Sequence, residues 1–121
     1  MGSIPGGGGR GGPDLPVQFL PGRDAARAAA PPGRLAPLRA APGVDEPVVR
    51  VCWSALAAAA QPFGAIYVEA ASAGGARRAR NGEIDVPLRA RVLYGPPQGN
   101  AVRESRVTCR LDAAGRVSGL Q

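Results

Sequence analysis

Glu83 to Tyr94 reads EIDVPLRARVLY, and its even positions, Ile84, Val86, Leu88, Ala90, Val92 and Tyr94, are all apolar. Between them stand Glu83, Asp85, Pro87, Arg89 and Arg91, and only Leu93 breaks the polar series. A period of two places successive side chains on opposite faces of a strand, so the pattern predicts a strand with one face on a core and the other in water.

Just upstream, Asn81-Gly82 is the dipeptide favoured in two-residue hairpin turns, where both central residues need positive φ. Such a turn sets Arg80 opposite Glu83, Ala79 opposite Ile84 and Arg78 opposite Asp85, pairing arginines with acids on the wet face. Ala65 to Ser72 alternates too, with Ile66, Val68 and Ala70 expected inward. Carried on without a break, the hairpin register would turn those three outward, so one extra residue must be absorbed. Ala73-Gly74-Gly75 is where a bulge costs least, and positive φ is expected at Gly74 or Gly75. On the downstream side, Val107, Cys109 and Leu111 form the inward series of a further strand. Pairing Val92 with Val107 aligns Ala90 with Cys109 and Leu88 with Leu111, and leaves Pro87 opposite Asp112 at the end of the ladder. Asp112 to Gly115 suits a type I turn closed by a left-handed Gly, with Leu111 then opposite Val117 and Cys109 opposite Gly119.

The sheet needs a cover, and the segment before it supplies one. Asp45 is a good N-cap, Glu46 and Pro47 suit a first turn, and VVRVCWSALAAAAQ leads to a stop at Pro62, which predicts a helix over Glu46 to Gln61. Its apolar stripe is Val48, Val49, Cys52, Leu56, Ala59 and Ala60, with Trp53 at the edge of the stripe. The β-branched start, VVRVCW, leaves a strand as the alternative there, against which stand the acidic cap and the Ala run. The fold class is therefore α+β: one helix packed on a four-stranded antiparallel β-meander.

Residues 44–121 make up this small domain, and residues 1–43 read as a disordered low-complexity tail or linker. The tail is Gly-rich, then Pro- and Ala-rich, so ordering it is costly and few large apolar groups offset the cost. A short helix over Gly22 to Ala30 is the exception, and Phe19, Leu20, Leu35 and Leu38 are the tail's candidate anchors. GGGGRGG has no strand before it and no helix after it, so it is not a nucleotide-binding loop; it reads as a flexible linker, with a single RGG element as the alternative.

In the 121 residues all fifteen basic groups are arginine and histidine is absent, for a formal charge of +6. Without lysine there is no Schiff base and no P-loop; without histidine the usual general base for a serine or cysteine nucleophile is missing. Two cysteines and no histidine do not make an ordinary structural zinc site, and no CxxC motif is present. Neither a cofactor nor a metal is expected, and Glu83 and Asp85 read as partners of Arg80 and Arg78 rather than as an acid/base pair.

Cys52 and Cys109 carry the most specific signal, because both face the same core. Paired, they would close a loop that adds roughly 4 kcal/mol to a small domain and would imply an oxidising compartment; unpaired, they are small core hydrophobes. No apolar run approaches the ~18 residues of a spanning helix, and MGSIPGGGGRGGP has no charged-then-apolar signal region, which stands in tension with a disulfide. A cysteine-bearing helix followed by strands and an inward TCRL resembles, in general architecture, small disulfide-bearing bacterial envelope domains. The resulting expectation is a non-catalytic accessory or protein-interaction domain, in the envelope or periplasm if the cysteines pair and cytoplasmic otherwise. The alternative is a module that binds anions or nucleic acid through Arg77, Arg78 and Arg80.

Overall fold

The computed structural model describes residues 12–21, 37–95 and 101–121. Helix α1 spans Glu46–Ala60, and five strands follow: β1 (Ala65–Ser72), β2 (Arg77–Arg78), β3 (Ile84–Tyr94), β4 (Val102–Leu111) and β5 (Val117–Leu120). They form one antiparallel sheet in the order β1-β3-β4-β5, and β2 pairs with β3 beyond the end of β1. The helix packs on one face, as the expected α+β fold requires.

Helix α1 starts where the sequence says, with Pro47 in the first turn and Glu46 bonded to Arg50 one turn on. Asp45 is extended and its carbonyl accepts from Val48 and Val49, but its side chain makes no capping bond. Pro62 does not stop the chain abruptly. It is taken into a short 3-10 turn, Gln61–Phe63, which Gly64 closes at a φ of 94°. Cys52, Leu56 and Ala60, spaced by four, are buried, and Val48, Val49 and Ala59 flank them.

The expected faces are largely right and the registers are not. The hairpin turn is one residue wider than a two-residue turn: Ala79 N–H donates to Glu83 O, so Arg77 stands opposite Asp85 and Arg78 opposite Ile84. Asn81 Oδ1 accepts from Glu83 N and Gly82 has a φ of 85°, the pattern of a type I turn closed by a left-handed Gly. Between Ser72 opposite Leu88 and Arg77 opposite Asp85, the upstream chain uses two residues more than β3. This interruption holds Gly74 at a φ of 145°. Pro87 faces it. Its carbonyl accepts from Ala73, and since the N and O of a strand residue point the same way, its missing N–H is directed at the gap.

A second irregularity, at Ile66 in β1, turns that residue out to 62% exposure while Val68 packs on the core. The inward placement expected for Ile66 is thus wrong. Val92 lies opposite Arg103, not Val107; Leu88 takes Val107, Val86 takes Cys109 and Ile84 takes Leu111. The slip is four residues, an even number, so every side chain keeps its face. It occurs because β4 begins at Val102, which adds VRES to the ladder and sets Arg91 opposite Glu104 and Asp85 opposite Arg110. The last turn is as expected, with Leu111 opposite Val117 and Gly115 at a φ of 84°. A bulge then puts Gly119 opposite Arg110 and brings Leu120, not Gly119, across from Cys109 in the core.

Two stretches upstream of the helix also belong to the folded unit. Residues 12–21 lie on β4: Phe19 is fully buried and Leu15 nearly so, in the same cluster as Tyr94, Ala101 and Val107. Leu38 N–H donates to Glu69 and Ala41 N–H to the Ser72 carbonyl, so residues 37–41 follow β1. The domain therefore draws on chain that composition alone assigns to the tail. Residues 1–11 and 22–36, including most of GGGGRGG, the expected short helix and Leu35, lie outside the described residues.

Candidate functional site

The outer face of the sheet carries most of the charge. Arg91 is only 8% exposed; its guanidinium reaches Glu69 at 3.3 Å on β1 and Glu104 at 2.9 Å on β4. Glu104 is also 3.8 Å from Arg89, and Glu69 accepts from Leu38 N–H at 2.8 Å. One cation thus ties three strands and the 37–41 segment together. A buried ion is tolerated when its hydrogen bonds are met in this way, and removing one partner is costly. Leu93 is also buried on this face, at 2% exposure, which explains why it stands in an otherwise polar series.

At the other end, Arg110 grips Asp85 with two hydrogen bonds, 2.7 and 3.1 Å, and lies 3.9 Å from Glu83. The hydrogen bonds from Arg110 hold the Asp85 carboxyl below its ordinary range, with Arg110 and Arg77 charges adding to the effect. This overturns the expected Arg78–Asp85 and Arg80–Glu83 pairs. The wider turn and the earlier start of β4 give the acids to Arg110 instead.

Arg77, Arg78 and Arg80 are accordingly all exposed, and none makes an ion pair among the described residues. They do not share one face: on β2, Arg77 lies across from Asp85, whose carboxyl its charge helps to hold low, Arg78 lies across from Ile84, and Arg80 is in the turn that follows. Cys52 and Cys109 are joined by a disulfide, Cα atoms 6.0 Å apart, that ties α1 to β4. Both cysteines are fully buried, so the bond is part of the core.

A third feature escaped the sequence reading. Along the outer edge of β1, Trp53, Ile66 and Tyr67 are 40%, 62% and 52% exposed, and Phe63, in the 3-10 turn that leads into the strand, is 42% exposed. Trp53 stands on the helix side, where its indole N–H donates to the Val68 carbonyl at 2.7 Å. Tyr67, opposite Leu93, stands on the outer side. Between Trp53, Ala57, Gln61, Ala65 and Val68 lies a shallow recess of about 280 Å³. The only sequence signal for this surface was apolar residues on both faces of AIYV, which a single-sided strand does not need.

Among the described residues no group of three His, Cys, Asp or Glu side chains is placed to hold a metal. None of the helices there is long and apolar enough to cross a membrane. No protein family, curated protein sequence or solved structure matches this chain.

Proposed function

We propose that this chain is a non-catalytic protein-interaction domain that works in an oxidising compartment, such as a bacterial cell envelope. The exposed apolar edge of β1 carries the reading. Aromatic and branched side chains flank that strand on both sides, and clustered exposed apolar groups of this kind mark contact surfaces. The edge is also guarded against indiscriminate strand pairing, since Trp53 and Ala41 take the outward carbonyls of Val68 and Ser72. A partner would dock on side chains rather than extend the sheet. The buried disulfide supports the compartment, because such bonds persist where thiols are not kept reduced.

The exposure of Arg77, Arg78 and Arg80 favours a second reading, a basic strand end that binds nucleic-acid phosphates. Salt and mutation separate the two. Under the first, crosslinking in the native host yields a specific partner that Ile66→Asp with Tyr67→Asp abolishes, while the thermal midpoint is nearly unchanged and 200 mM salt has little effect. Under the second, a labelled oligonucleotide binds with a log-log salt slope of about −2 to −3 and is lost in the triple Arg→Ala variant. A partner retained by the Ile66, Tyr67 variant would overturn the first reading.

A further inference from the structure

Residues 12–21, Gly-Pro-Asp-Leu-Pro-Val-Gln-Phe-Leu-Pro, are held on β4 as a peptide ligand is held. They add no strand to the sheet. A single 3-10 turn, Val17–Phe19, follows Pro16, with Phe19 N–H donating to the Pro16 carbonyl. This turn puts Leu15 and Phe19, four apart, into the core and leaves Val17 79% exposed on the far side. Three polar contacts flank the anchors. Tyr94 O–H donates to the Phe19 carbonyl at 2.7 Å, Arg103 Nε–H to the Leu20 carbonyl at 3.1 Å, and Gln18 Nε2–H to the Arg106 carbonyl at 3.0 Å. The domain thus supplies an apolar recess and two fixed donors aimed at the segment's own backbone.

We infer that this recess on β4 is a peptide-binding site, filled in cis by residues 12–21 and able to take the same segment from a second copy of the chain. Between Pro21 and Pro37 lie residues 22–36, which at full extension span up to roughly 50 Å. A tether of that length does not dictate which copy's recess the segment enters. Pro13, Pro16 and Pro21 fix φ in the free segment, so less freedom is lost on docking than for an ordinary peptide. An exchanged pair keeps every contact of the monomer, and concentration alone decides between them. Covalent linkage in one chain sets an effective concentration on the order of millimolar, so cis docking prevails in dilute solution and exchange near that level. The inference is independent of the β1 surface: Ile66 and Tyr67 variants leave it untouched.

The test uses the full-length chain and a labelled synthetic peptide of residues 12–21, followed by fluorescence anisotropy. In the Phe19→Ala chain the resident segment has lost its anchor, and the wild-type peptide is expected to bind it at least tenfold tighter than it binds the wild-type chain. A peptide carrying Phe19→Ala should bind neither. In a Tyr67→Phe background, filling the recess should raise the pH at which the one remaining tyrosine ionises. No binding to a folded Phe19→Ala chain, or equal binding to both chains, would overturn the proposal. If that variant does not fold, the segment is instead supplied separately: the otherwise wild-type chain, carrying a protease site within 22–36, is treated with that protease under native conditions and the cut species is isolated. Release of the segment on dilution while Trp53 fluorescence stays native, followed by re-entry of labelled peptide, supports exchange. Release only together with global unfolding sinks it.

Discussion

Tyr94 shows how much one side chain can join. It is fully buried, and its hydroxyl donates to the Phe19 carbonyl. Burial pushes its pKa up to about 12 from 10.0, with the nearby Arg103 charge pulling the other way. The phenol of the folded protein thus keeps its proton where an unfolded chain has lost it. That contribution to stability is whole below pH 10 and is lost as pH rises from 10 towards 12. Denaturant titrations of a Tyr67→Phe chain at pH 8, 10 and 11 should show the midpoint falling steeply over the last interval. Tyr94→Phe in the same background should fall less there, but should start about 1–2 kcal/mol lower at pH 8, because the Phe19 carbonyl loses its donor. The inward direction of Tyr94 was plain from its place in an alternating strand. Phe19 was among the tail's candidate anchors, but its meeting with Tyr94 was hidden, because a single Phe in Pro-rich sequence gives no periodicity that says where it docks.

The elements were legible to the extent that their turns were. Asp112 and Gly115 specify their turn by local chemistry, and that turn is as expected: Asp112 Oδ1 accepts from Ala114 and Arg116, and Gly115 is left-handed. The start of β4 has no such mark. Val102 to Glu104 looks like connecting sequence until Glu104 is seen against Arg91, so the ladder slipped by four residues and the outer-face ion network was missed with it. The disulfide survived that error because an even slip preserves the face. At the hairpin the slip is a single residue, which sets Asp85 opposite Arg77 in place of Arg78 and moves Arg78 to the other face, opposite Ile84. The interruption between β1 and β2 has a further consequence at Gly43. Its φ is 134°, and a Cβ added there would lie 2.5 Å from the Gly74 carbonyl oxygen. Both backbones would have to move, so Gly43→Ala should destabilise the domain by roughly 1–3 kcal/mol. Gly75→Ala, where a Cβ meets open space, is the control and should change little in the same denaturant titration.

At the scale of the whole molecule, a small sheet is covered by one helix and one short segment, and a domain of this size has a thin margin of stability. The disulfide bears on that margin directly. It closes a sequence separation of 57 residues and, by limiting the unfolded chain, should contribute roughly 4 kcal/mol. It also fastens α1 to β4, the strand that carries residues 12–21. Loosening the helix therefore loosens both covers of the core at once. Cys52→Ser with Cys109→Ser leaves two hydroxyls in a fully buried site, a further penalty, so Cys52→Ala with Cys109→Val is the cleaner pair. Calorimetry of that variant against wild type should show the midpoint lowered by about 15–30 °C, the shift that ~4 kcal/mol implies for roughly a hundred residues. Because the sulfurs are buried, wild-type protein under native conditions should resist a mild thiol reductant and lose its bond only as it unfolds. Non-reducing mass analysis at intervals reads this. Reduction without loss of the fold, at a midpoint within a few degrees of wild type, would show that packing alone sustains the domain and would remove the support the bond lends to an oxidising compartment.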